Sequence, residues 1–121
     1  MYQYDLLTEE LTSTRIDEEL WDPDYNHIVR HGAVDYSTGI YYFATSHNDP
    51  TSDAFALLAY NPNAEDGEGA VWRAGQLHTP NAFGDSGDMA FDSLGNLYFI
   101  VGAGSDATLY TAEGGQLSRV K

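Results

Sequence analysis

Two stretches of this chain carry the same residues in the same order. AVDYSTGIYYF (Ala33 to Phe43) and AFDSLGNLYF (Ala90 to Phe99) share Ala, Asp, Gly, Tyr and Phe in register, once one extra residue is allowed in the first turn. Repetition limits a fold more than local propensity does, because each copy must be one supersecondary unit that stacks on its neighbour. Asp35 and Asp92 each open a turn, where a short carboxylate side chain accepts bonds from backbone N–H groups just ahead of it. Gly39 and Gly95 close that turn, where a positive φ is expected. The apolar residues on either side then form two antiparallel strands, a front hairpin.

A second strand–turn–strand unit follows each front hairpin. FALLAY (Phe55 to Tyr60) runs through Asn61-Pro62-Asn63 and an acidic loop into AVWRAGQL, and ATLYT (Ala107 to Thr111) passes Gly114-Gly115 into QLSRV. The opening YQYDLLTEELTSTRI fits this back-hairpin pattern with no front hairpin before it, and the stretch Thr14 to Leu20 reads as loop. The expected order is a back hairpin over 2–16, a four-stranded unit over 28–78 and another over 87–120, within one domain or fragment spanning 1–121. That makes about ten strands, or two and a half units. The fold class is therefore all-β, built of four-stranded antiparallel β-propeller-like blades. A sandwich also has short strands with turn signals at close intervals, and it is the alternative; it requires no repeat.

GDMAFDSLGNLYF resembles the blade motif of bacterial propellers of the NHL and gluconolactonase-like kind, G-hydrophobic-A-F-D-x-x-G-N-L-Y. It is also similar to propeller-like regions in cell-wall-anchored adhesins and pilin-related surface proteins of actinobacteria. The close match covers Gly87 to Gly102, with a weaker one over Gly32 to Phe43. This resemblance implies an architecture and a surface or secreted setting, and it implies no activity, because the motif residues build a hairpin. Two and a half blades leave sheet faces and edges open, so the expected partners include further copies of the chain or the remainder of a longer one.

Nineteen acidic residues against five basic ones give a net charge of −14, which opposes binding to nucleic-acid phosphates or anionic lipids. No apolar run approaches the ~20 residues of a membrane span, so no membrane insertion is expected. The N-terminal MYQYDLLTEEL lacks the basic and apolar segments of a signal peptide. With no cysteine, disulfides, thiolate zinc sites and cysteine nucleophiles are all excluded.

Candidate site residues are few. GDSGD (Gly84 to Asp88), with Asn81 nearby, offers Asp85 and Asp88 as hard oxygen donors for calcium, or simply enters a strand. SHNDPTSD (Ser46 to Asp53) is a polar inter-strand loop whose His47 and Asp49 are candidate ligand contacts, and Trp72 in AVWRA is a third. Trp21 and Tyr41 offer further stacking surfaces, whereas Tyr42 and Tyr98, at matching strand positions, are expected to pack within the units. His27 and His31 are spaced as on a helix, but in a strand that spacing puts them ~13 Å apart, too far to share one metal. GAGSDA (Gly102 to Ala107) has no following helix or P-loop lysine to make a phosphate site. With 19 acids, a carboxylate pair carries no signal for hydrolysis.

These readings favour a non-catalytic binding or structural module of a bacterial surface or secreted protein, with a protein or glycan ligand. The alternative is a fragment of a calcium-dependent propeller hydrolase or lactonase. The first needs no cofactor; the second needs calcium.

Overall fold

A computed structural model describes residues 2–13, 20, 23–25, 29, 31–49, 51–52, 54–64, 71–78, 87–102, 108–113 and 116–119. They form ten strands and contain no α-helix, and every strand pairing is antiparallel. β1 (Tyr2–Tyr4) and β2 (Leu11–Ser13) make a small ribbon, with Tyr2 opposite Ser13. β3 (His31–Asp35), β4 (Ile40–Ser46), β5 (Ala54–Tyr60) and β6 (Val71–His78) form a four-stranded meander. β7 (Gly87–Phe91), β8 (Leu97–Val101), β9 (Thr108–Glu113) and β10 (Gln116–Arg119) form the second. The sheets do not close on one another. His27, Asn81, Asp85, Trp21, most of Thr14 to Leu20 and most of GAGSDA lie outside the described residues.

The hairpin turns follow from the repeated residues. Asp35 Oδ1 accepts the Ser37 backbone N–H at 3.0 Å and the Ser37 hydroxyl at 2.6 Å, and the Gly39 N–H donates to the Asp35 carbonyl at 2.7 Å. In the second copy Asp92 Oδ1 accepts from the N–H groups of Leu94 and Asn96, both at 2.9 Å. Gly39 and Gly95 adopt φ of +74° and +82°, a region that a side chain makes costly.

Strand β5 shows what an unbroken apolar run becomes. AFALLAY is buried at every position but the last, because it lies inside its sheet and that sheet is covered on both faces. Ala44, Phe55, Leu57 and Leu77 meet Met89, Leu97, Phe99 and Val101 of the second sheet across one face. Phe43, Ala54, Ala56 and Leu58 cluster with Tyr25 on the other, with Leu20, Tyr41, Tyr60 and Val71 at its margin. Each fully buried Phe or Leu stabilises the fold by about 1.5–3 kcal/mol. A bulge between Leu57 and Leu58 leaves Ala74 without a partner on β5 and changes the register of β6.

The two sheets stack in series. β3 lies against β7 and β6 against β10, first strand on first and last on last. Equivalent residues of the repeat point the same way along the stack. Phe43 faces the N-terminal side of its sheet, and its counterpart Phe99 faces the first sheet. Tyr42 packs into the layer between the sheets, while its counterpart Tyr98 lies on the outer face of the second. Two identical sheets facing each other in a sandwich would instead turn equivalent residues toward one another.

Candidate functional site

At the turn end of this stack the sheets part around a cleft of about 490 Å³. Asp35, Tyr42, Leu57, Trp72 and Leu77 line it from the first sheet, and Phe91, Gly95 and Leu97 from the second. Strand alternation puts these side chains here. Tyr42 pairs with Ala59 and Ala59 with Trp72, so Tyr42 and Trp72 project from one face. The rings of Tyr42 and Phe91 lie 5.1 Å apart across the gap. Arg73 contributes to the rim, but its guanidinium donates to the Leu20 carbonyl at 3.1 Å, on the opposite side of the sheet.

Asp35 is buried as a residue, with 7% of its surface exposed. Burial, and then the negative charge of Asp35, push the Tyr42 phenol above its ordinary range. The Tyr42 hydroxyl therefore stays neutral at physiological pH. Asp92, the counterpart of Asp35, is half-buried and differently bonded. Its Oδ2 accepts from the Asn96 amide at 2.9 Å and the Tyr98 hydroxyl at 3.1 Å. The Asn96 bonds, side chain first, hold Asp92 below the usual carboxylate range. Its turn is accordingly most stable above the unfolded pKa and weakens as pH falls through the folded one.

The two turns also touch. A methyl group on Gly95 would lie 3.3 Å from Ser37 Oγ and 3.5 Å from Asp35 Oδ2. Gly95→Ala would therefore combine the positive φ with a crowded junction. It is expected to destabilise the protein by about 1 kcal/mol or more, measured as a shift in urea midpoint.

Of the residues singled out in the sequence, Trp72 lies in this cleft, half-buried. His47 and Asp49 do not accompany it. They follow β4, at the end of the sheet away from the Tyr42–Trp72 row, with His47 ~17 Å along the strand from Tyr42. There the His47 ring meets Tyr25 edge-on at 5.0 Å, and its Nδ1 accepts the Asp49 N–H at 3.0 Å. Asp49 Oδ1 accepts both the N–H and the hydroxyl of Thr51, at 2.9 and 2.7 Å. Those bonds, backbone first, lower its pKa. The SHND loop is thus held by its own turn bonds and by Asn48, whose backbone N–H and side-chain amide donate to the carbonyls of Asp24 and Pro23 at 2.7 and 2.8 Å.

Asp88 is exposed on β7, and its Oδ1 accepts the Met89 N–H at 2.8 Å. Among the described residues no three His, Cys, Asp or Glu gather as a metal site would require. His31 is buried between the sheets, where its ring meets Phe99 edge-on at 4.9 Å and Phe55 at 5.9 Å. No described helix is long and apolar enough to cross a membrane.

Sequence reasoning placed Asp35 and Tyr42 in a turn and a core, and so missed that both open onto the cleft. One signal was present. Where the second copy has Asn96 after its turn glycine, the first has Ile40, which has no side-chain donor for the carboxylate. Comparison with family models, with curated proteins and with solved structures finds no match for this chain.

Proposed function

We propose that this chain is a non-catalytic binding or structural module of β-propeller-like blades, belonging to a bacterial surface or secreted protein and engaging a protein or glycan ligand. The observation that carries the reading is the serial stacking of its two meanders. A fold that adds sheets in one direction leaves its last face able to accept another. Here that face carries Ala90, Ile100 and Leu109 at the surface. The resemblance of GDMAFDSLGNLYF to a blade motif agrees with such stacking.

Light scattering over a concentration series tests the blade reading. Association into a defined closed species is the expected result, strengthening with salt as the repulsion of the −14 charge is screened. A well-folded monomer at every concentration and salt would overturn it in favour of a self-sufficient two-sheet unit. Calcium tests the class of function. A binding module should melt at the same temperature with and without millimolar calcium, whereas a calcium-dependent hydrolase or lactonase should gain stability with occupancy.

A further inference from the structure

We propose that the cleft between the sheets binds an organic ammonium ion on an aliphatic stem, the size of a lysine side chain, with Asp35 Oδ2 as its counter-charge. The argument rests on the difference between two copies of one motif. In the second copy both oxygens of Asp92 are occupied, Oδ1 by backbone N–H groups and Oδ2 by Asn96 and Tyr98. In the first copy Ser37 occupies Oδ1 alone. No described residue donates to Asp35 Oδ2, because Ile40 replaces the asparagine and the Tyr42 ring lies against Phe91. The open oxygen belongs to the more enclosed residue of the pair, and that residue lines the cleft. A cation entering the cleft would meet a carboxylate oxygen that no described side chain engages.

The remaining walls select the kind of cation. Tyr42, Trp72 and Phe91 present aromatic rings, which attract an ammonium through their faces. Leu57, Leu77 and Leu97 form an apolar surface suited to methylene groups and poor for a hydrated metal ion. The overall charge of −14 raises the local concentration of cations and disfavours an anionic ligand. Arg73 does not occupy the place, since its guanidinium is engaged with Leu20 on the other face. The proposal is independent of blade number and of association.

The test is an NMR titration of the intact chain, at a concentration where it is monodisperse, with N-acetyl-lysine methylamide and its neutral isostere N-acetyl-norleucine methylamide. The lysine derivative should give saturating shifts at the Trp72 indole and the methyls of Leu57, Leu77 and Leu97, and the norleucine derivative should give none. Asp35→Asn keeps an acceptor for the Ser37 turn and should weaken binding by about tenfold or more, the value of a charged hydrogen bond. Ile40→Asn supplies the amide that Asn96 provides to Asp92. It should close Oδ2 and abolish binding without lowering the melting temperature, so the test survives if Asp35→Asn folds poorly. Equal binding of the neutral compound would overturn the proposal, as would unchanged affinity in a folded Ile40→Asn protein. Absence of shifts at roughly 100 mM ligand would overturn it too.

Discussion

Phe99→Ala is expected to lower the stability of the protein by about 3–5 kcal/mol, enough to unfold most small domains at moderate temperature. Phe99 is fully buried in the layer between the two sheets. Its ring meets Phe55 at 5.0 Å and His31 at 4.9 Å, both edge-on, so truncation removes two ring contacts as well as apolar area. β8 cannot easily move to fill the void, because it is paired on one side with β7 and on the other with β9. Equilibrium urea unfolding followed by circular dichroism is the measurement. A fall in midpoint with an unchanged slope is expected; a loss below about 1 kcal/mol would mean that the sheets are not packed together at this position.

Gly87→Ala is expected to be comparably damaging, for a backbone reason. A Cβ at this position would run into the carbonyl oxygen of Ile100, on the strand paired with β7, and no rotamer change can move a backbone atom aside. Gly87 also has φ of +146°, which other residues rarely adopt and which costs about 1–3 kcal/mol by itself. The first residue pair of the β7–β8 ladder, Gly87 with Val101, should therefore separate. Amide hydrogen exchange provides the readout. Protection should fall along Met89, Phe91, Phe99 and Val101 while β4 and β5 keep theirs. Wild-type protection throughout β7 and β8 would show that the strand accommodates the methyl group by sliding.

How much of this was legible in the sequence varies with the range of the interaction. The Asp-to-Gly turns could be read because their bonds join residues two to four apart, and in both copies the glycine N–H donates to the aspartate carbonyl. The four-stranded meanders could be read from the alternation between apolar runs and turn residues. The bulge of β6 could not, because it depends on how Gly75 and Arg73 match Leu57 and Leu58 on another strand. The candidate site was divided in the same way. Trp72 was noticed as a large aromatic residue in a strand, but its partners in the cleft come from β3, β4 and the second sheet. His47 and Asp49 drew attention by residue type alone, and their polar atoms turn out to serve the local turn.

The sequence by itself therefore determined an all-β chain, its hairpins and the residues that close them, since each is settled by contacts within a few residues. Tertiary structure decided which face of each strand is buried and against what. AFALLAY has no alternation from which a face could be assigned, and only coverage from both sides explains its burial. It also made two equivalent aspartates different. Asp92 has its bonds completed by Asn96 and Tyr98 of its own hairpin, while Asp35 is enclosed by a neighbouring sheet that brings it no donor. Burial depends on what stacks above a residue, and stacking joins segments far apart in the chain.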